Sequence, residues 1–259
     1  MELNDIQKAA QLQFGKQSER YGRGHILENV EDVRQALTHI RLPEKSRALD
    51  VATGGGHTGL FLAGLGFEVT LSDVAQPMLD RVEKSASERK LSISTAQHPA
   101  EAFPFPDQSF DLVTCRVAPH HFSDVSAFIG ETARVLRQGG YLLLIDGSVE
   151  DNEPEAEAWI HEVEKLRDPS HHRLVTPGRW TQLCQERDLR VIVCELSPMK
   201  QPDLDWYFET ANTPPENRRR VLELVESAPA NARRLFKLCE EDGKIIWWWQ
   251  RLTLIAVKN

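Results

Sequence analysis

Three groups of residues in this 259-residue sequence have the types and spacing to do chemistry. The first is ALDVATGGGHTG, residues 48–59, where Asp50 interrupts an apolar run just ahead of a glycine cluster. Gly54, Gly56 and Gly59 have the spacing G-x-G-x-x-G of loops that hold a pyrophosphate at a helix N-terminus. In such loops the strand is apolar up to the first glycine, and Asp50 breaks that rule. A carboxylate within a parallel strand is costly unless it lies near the strand's end and meets hydrogen-bond donors or a cation. With the strand ending at Val51 and the turn running from Ala52 to Gly56, Asp50 sits at the root of the turn. A ligand with a positive amine or sulfonium suits that carboxylate better than a pyrophosphate does. The second group is Asp73, closing the next apolar run at a distance from the glycines that suits a ribose. The third is histidine-rich: Arg116, His120 and His121 in CRVAPHHF, then His171, His172 and Arg173 in RDPSHHR. A positioned imidazole there can act as a base, with His121 the first choice. Packing or helix capping is the alternative use of paired loop histidines, and a solvated loop that of His172.

Positioning these groups takes alternating strands and helices. RALDVA, EVTLSD, LSISTAQ, FDLVTCR and YLLLID read as strands. TGLFLAGLGF, PMLDRVEKSASERK and DVSAFIGETARVLRQGG read as helices, the last ended by its glycines. This alternation predicts a parallel α/β sheet with its ligand at the carboxyl ends of the strands. Residues 1–41 read as two helices broken at YGRGH, a cap on the domain. After Asp146 come a Glu-rich helix, a proline-bounded loop, the helix TQLCQERD and the strand LRVIVCEL. Residues 201–243 read as polar helices before a final strand, IIWWWQRLTLIAVK, the last two strands forming an antiparallel addition. In that strand Trp248 must face away from Trp247 and Trp249, so both faces are covered there or a homodimer surface exists. We divide one domain, 1–259, into the cap (1–41), a core (42–150) and substrate-side helices with the last two strands (151–259).

The stretch LDVATGGG, with Asp73 at the next strand end, AEAFPFPDQSFDLVTCR and ARVLRQGGYLLLID, resembles class I S-adenosylmethionine (SAM) dependent methyltransferases. FGKQSERY is similar to the N-terminal helix of their ubiquinone/menaquinone-biosynthesis group (methyltransferase type 11). The resemblance covers residues 11–147 well and the remainder loosely. It implies a Rossmann-like class I methyltransferase fold: a mostly parallel seven-stranded sheet, antiparallel last strand, helices on both faces. It makes the G-x-G-x-x-G match accidental and turns the loop around the methionine end of SAM. Cofactor contacts are implied at Asp50, Ala52, Thr53, Gly54, Gly56 and His57 in the loop, and at Asp73 for the ribose. Val74, Met78, Ala100, Glu101 and Arg116 complete the set. Two departures stand out. Ala52 replaces the first glycine and fits if its φ is negative. Pro99 stands where the group often carries an Asp for the adenine amino group, leaving backbone near Ala100 to substitute. Phe14 and Tyr21 from the N-terminal helix, His120, His121, His171, Arg173 and Tyr207 are the implied substrate contacts.

The formal net charge of −8 argues against a nucleic-acid partner, which needs clustered Lys and Arg. No run is long and apolar enough to insert in a membrane, and the N-terminus has no leader-like apolar stretch, so a cytoplasmic location is expected. The four scattered cysteines suggest neither a zinc site nor disulfides, and no metal is expected. The reading is therefore a SAM-dependent methyltransferase acting on a small, partly apolar metabolite by in-line displacement. Two other classes stand beside it: an NAD-dependent oxidoreductase, on the glycine spacing, and a SAM-binding protein without turnover.

Overall fold

The structure is a computed structural model that describes residues 2–18 and 26–259. Tyr21 and the whole of the expected break between the first two helices lie outside the described residues. Nine strands are found among the described residues: β1 (Arg47–Val51), β2 (Glu68–Asp73), β3 (Ser94–Gln97), β4 (Phe110–Arg116), β5 (Leu136–Ser148), β6 (Leu189–Lys200), β7 (Cys239–Glu241), β8 (Lys244–Ile246) and β9 (Trp248–Lys258). Seven form one sheet in the order β3-β2-β1-β4-β5-β9-β6, while β7 and β8 make a separate hairpin. The pairings from β3 through β5 are parallel, and β9 runs antiparallel to both β5 and β6.

The helices are α1 (Asp5–Gln17), α2 (Glu31–Leu37), α3 (His57–Gly64), α4 (Gln76–Arg89), α5 (Val125–Val135), α6 (Pro154–Arg167), α7 (Pro177–Gln185), α8 (Leu204–Ala211), α9 (Pro215–Glu226) and α10 (Ala230–Leu235). Alternate strand residues serve opposite faces of the sheet. Leu49, Val113 and Leu144 pack in one cluster with Phe128 and Trp180, from α5 and α7. Ala48, Leu112 and Ile145 pack in another with Leu60 and Val82, from α3 and α4. Burial on both faces explains why these strands read as continuous apolar runs. A third cluster joins α6, α8, α9 and α10 around Trp159, Tyr207, Phe236 and Trp247.

Several boundaries differ from expectation; the second N-terminal helix, read over 26–40, is α2 alone at Glu31–Leu37, after a 3-10 turn at Ile26–Glu28. The helix before β5 ends at Val135, because Leu136 is already extended and pairs with Phe110. The run 245–258 is not one strand: β8 turns back on β7, and Trp247 separates it from β9. The residues before 243 accordingly include strand β7 as well as helices. The three tryptophans alternate as expected, but no second copy is needed to cover them. Trp247 and Trp249 enter the helical cluster, while Trp248 lies beneath the ammonium groups of Lys200 and Lys237, 5.2 and 5.8 Å from its ring centre.

Candidate functional site

The carboxyl ends of β1, β2, β4 and β5 open into a cavity of about 500 Å³, within the size range of small-ligand sites. The N-terminal helix lies against it: Gln7, Ala10 and Phe14 are in its wall. Two side chains pin α1 there, Gln7 donating to Glu101 Oε2 (2.8 Å) and Gln11 to the Val74 carbonyl (2.9 Å). An Asn4 capping box starts the helix.

The glycine loop forms one side. Asp50 is buried at its root, but its carboxylate is taken up by protein donors rather than lining the cavity. Thr53 Oγ1 (2.5 Å) and Gly59 N (3.0 Å) donate to Oδ2, and Thr114 Oγ1 (2.6 Å) donates to Oδ1. Burial pushes its carboxyl above the usual range, although these donors and Arg116 pull the other way. Asp50, expected as a cofactor contact, therefore shapes the loop from behind the cavity wall. Gly56 and Met78 also lie outside the cavity wall, whereas Ala52, Thr53, Gly54 and His57 are in it. Ala52 has φ of +52°, not the negative value expected, so a non-glycine residue occupies a left-handed position at a cost of about 1–2 kcal/mol. The third glycine of G-x-G-x-x-G has a packing role, whatever the loop holds. A Cβ on Gly59 would stand 2.6 Å from Leu71 Cγ, so only glycine lets α3 settle on β2.

Asp73 ends β2 in the cavity wall, Oδ2 accepting from Gly54 N (3.0 Å) and Oδ1 from Ala75 N (2.9 Å). With a further bond from the Val74 backbone, the carboxylate still has acceptor capacity left for a ligand hydroxyl. Burial raises its carboxyl to about 6 against these bonds. Val74, Ala100 and Glu101 line the same cavity. Glu101, however, is engaged by Gln7, by Ser123 N (2.8 Å) and by Ser123 Oγ (2.7 Å), so it ties α1 to the loop before α5. Arg116 is likewise committed. Nε donates to Asp32 (3.0 Å), Nη1 to Leu27 O (2.8 Å) and Nη2 to Asn29 O (2.6 Å), which fastens the segment before α2 over the cavity.

The opposite side is built on β4 and β5. His120 lies in the short 3-10 turn Pro119–His121 after β4, and Asp146 near the end of β5. Asp146 accepts from His120 Nδ1 (2.6 Å) and from the His120 backbone N–H (2.9 Å). A carboxylate can only accept here, so Nδ1 carries a proton, and in the neutral ring Nε2 presents a lone pair. Burial disfavours the imidazolium, but the charge and hydrogen bond of Asp146, with Glu164 and Asp168 beyond, outweigh it and raise the His120 pKa. His121 is the reverse case. Burial and the neighbouring His120, 4.1 Å away between ring centres, push it down to about 3. Its Nδ1 lies 3.1 Å from Ser170 O, and Ser170 Oγ in turn donates to Asp168 (2.6 Å). His121 is thus the weaker of the two imidazoles as a proton acceptor and His120 the stronger. Asp146 escaped the sequence reading as a functional residue, although it ends an apolar strand as Asp73 does.

Of the remaining expected contacts, Phe14 and Tyr207 line the cavity, beside Trp206 and Trp249. His171 and Arg173 do not. His171 is buried behind His120, its Nε2 3.3 Å from His161 Nδ1. Arg173 faces outward, its side chain 65% exposed and paired with Glu157 at 2.7 Å, in a separate depression near the start of α7. Among the described residues no cluster of three or more His, Cys, Asp or Glu is placed to hold a metal, and all four cysteines are free. No helix among them is long and apolar enough to cross a membrane.

Comparison with known proteins agrees with this architecture. Residues 49–144 match the family model described as "Methyltransferase domain". The chain is 30% identical over 245 residues to the uncharacterized methyltransferase YcgJ of Bacillus subtilis, covering 93% of this chain and 96% of that one. The crystal structure of YcgJ superposes with a TM-score of 0.82 at 27% identity, over 89% of this chain and 99% of that one. A demethylmenaquinone methyltransferase of Thermus thermophilus is 39% identical over 102 residues, 39% of this chain and 46% of that protein. The fold is shared with a geranyl diphosphate C-methyltransferase of Streptomyces coelicolor A3(2), crystallised with Mg2+, geranyl diphosphate and S-adenosyl-L-homocysteine (12% identity, TM-score 0.71, all of both chains). The oxidoreductase reading of the glycine spacing is not favoured by any of these. The match to YcgJ at nearly full length, on the same sheet architecture, places the chain in the methyltransferase family.

Proposed function

We propose that the chain transfers the methyl group of SAM to a hydroxyl or an acidic carbon of a small, partly apolar metabolite, with His120 taking the acceptor's proton. The observation that carries this reading is the 2.6 Å contact between His120 Nδ1 and Asp146, across the cavity wall from the Asp73 loop. The residues present fit the cofactor: Gly54 and Gly55 bring bare backbone to the cavity, and Asp73 has acceptor capacity left for ribose hydroxyls. SAM supplies an electrophilic methyl, whose bond to sulfur breaks, the pair staying on sulfur, as the acceptor's bond to carbon forms.

The chain's own contribution is alignment, exclusion of water and removal of one proton. Held at about 3–3.5 Å from the methyl, the acceptor gains the advantage of a prepaid encounter. His120 Nε2 accepts its proton, and Asp146 holds the ring in the required tautomer and stabilises the imidazolium. Such a base contributes about 10²- to 10⁴-fold. Trp206, Tyr207, Trp249 and Met199 give the cavity an apolar wall that suits a partly apolar acceptor. The same reading makes residues 1–41 the cap, 42–150 the cofactor core and 151–259 the acceptor side of one domain. It describes a cytoplasmic enzyme working on a small molecule without nucleic acid.

Calorimetric titration of the purified chain with SAM and with NAD tests the cofactor, and a labelled-methyl assay over hydroxylated and carbon-acid metabolites tests turnover. Micromolar SAM binding with methyl transfer to at least one acceptor is expected. Retention of NAD with indifference to SAM overturns the reading. Tight SAM binding with no transfer across the panel favours a binding protein without turnover.

A further inference from the structure

Three arginines line the cavity among the described residues, and they differ in how far their donors are spent. Arg116 bonds through all three nitrogens. Arg167 does the same: Nε donates to Tyr207 O (3.1 Å), Nη1 to Glu164 (3.4 Å) and Nη2 to Thr210 Oγ1 (3.2 Å). Arg251 is the exception. Only its Nη1 is engaged, by Asp32 Oδ2 at 3.4 Å and by the weak acceptor Met199 Sδ at 4.0 Å. The same Asp32 oxygen accepts from Arg116 at 3.0 Å, so one carboxylate answers two guanidiniums and sits closer to the other one. Nε of Arg251 is buried without a partner. Nη2 likewise makes no hydrogen bond among the described residues, and the side chain is 26% exposed, so this end of the fork is left open to the cavity.

A guanidinium drawn partly out of water with most of its donors unused is costly, and an oxyanion set against its terminal nitrogens offsets that cost with paired, charge-assisted bonds. The strand register puts this fork on the histidine side. On β9, Arg251 faces the same way as Trp249 two residues before it, and Trp249 lies 6.2 Å from His120 between ring centres. Across the ladder Arg251 pairs with Gly147, the residue after Asp146. Asp73, by contrast, ends β2, four strands away in the sheet order, roughly 19 Å at about 4.8 Å per strand. The anion that suits Arg251 therefore belongs to the acceptor. Glu31, Asp32 and Asp146 line the same cavity, and their charges repel a second negative charge on the incoming group. A carboxylate fits this balance better than a phosphate.

We propose that the metabolite methylated by this chain carries a carboxylate and that Arg251 holds it, with the apolar body of the molecule against Trp206 and Trp249. The proposal rests on the SAM reading above and adds the acceptor's charge to it. It is tested by calorimetry on the full chain saturated with S-adenosylhomocysteine, titrated with hydroxyaryl and hydroxyalkyl carboxylates and, for each, the matching carboxamide and phosphonate. At least one carboxylate should bind about 10- to 100-fold more tightly than its carboxamide, the range for hydrogen bonds to a charged group, and more tightly than its phosphonate. Arg251→Met should lose most of that preference with its affinity for S-adenosylhomocysteine unchanged. Arg251→Lys, which keeps the charge without the fork, should keep part of the preference and carries the comparison if Arg251→Met does not fold. A native chain that binds no carboxylate of the panel, binds acids and amides alike, or prefers the phosphonates overturns the assignment while the SAM reading stands. So does a folded Arg251→Met chain that keeps the native preference, or one that loses S-adenosylhomocysteine as well, which would give the guanidinium to the cofactor. A native chain that does not bind S-adenosylhomocysteine overturns the SAM reading, and this proposal with it.

Discussion

The two sides of the cavity are assembled from the chain in different ways. On the glycine-loop side, most partners are close in sequence: Thr53 and Gly59 lie 3 and 9 residues from Asp50, and Ala75 and Gly54 lie 2 and 19 from Asp73, with Thr114, 64 residues from Asp50, the exception. On the histidine side they are far apart. His120 and Asp146 are separated by 26 residues, His121 and Ser170 by 49, and Trp249 and its acceptor Glu164 by 85. A loop with local partners can be carried from one protein to another as a short motif. A site with distant partners depends on where whole helices and strands come to rest, and so it differs with the acceptor.

The largest effect that tests this contrast is expected on the histidine side. His120→Ala should lower turnover by about 10²- to 10⁴-fold with cofactor affinity unchanged. His121→Ala should cost less, because its ring is too weak a base to share the work. A steady-state assay that ranks the two variants the other way would return the base to His121. Next comes Asp73→Ala, which should weaken SAM binding by about 10- to 100-fold, on the order of 1–3 kcal/mol for lost hydrogen bonds to a charged group. Titration calorimetry reads it directly, and native affinity in that variant would remove the ribose role.

The same carboxylate predicts opposing pH trends. Held at about 6 in the fold against an ordinary 3.8, Asp73 takes up a proton in the folded chain before the unfolded one. Its contribution to stability is therefore unfavourable above pH 6 and is relieved as pH falls toward 4. Cofactor affinity should move the other way, falling as pH drops through 6, because a protonated carboxyl loses acceptor capacity. Affinity that stays flat from pH 7 to 5 would contradict this.

Smaller effects probe the loop itself. Gly59→Ala should destabilise the chain by about 1–3 kcal/mol, since the added methyl overlaps Leu71 in the seam between α3 and β2. Ala52→Gly should change stability by about 1 kcal/mol or less, relief of the left-handed φ being offset by the freer unfolded chain. Thermal melts of both variants separate the glycine that packing demands from the position where alanine is tolerated under strain.

Much of this was readable in the chain itself, for reasons that differ by element. The parallel core was legible because strands buried on both faces read as unbroken apolar runs, and helices such as α4 and α6 carry a proline in the first turn. The end of α5 was not, because Leu136 has a good helical propensity and only its pairing with Phe110 makes it a strand. The division of the final run at Trp247 was hidden for a similar reason: Trp247 packs on Tyr207 of α8, 40 residues earlier in sequence, and on Phe236 at the end of α10.

In the site, Asp73 could be placed from the sequence because a strand end and its distance from the glycines are properties of a short segment. That Asp50 is consumed by Thr53, Gly59 and Thr114, that Arg116 is spent on Asp32 and that Asp146 selects His120 over His121 were decided only in the folded chain. Local pattern determines which segments become strands, turns and helices, since backbone sterics and burial act along the chain. Which carboxylate meets which donor depends on distances between segments, and those are set by the order of strands in the sheet and the packing of helices upon it.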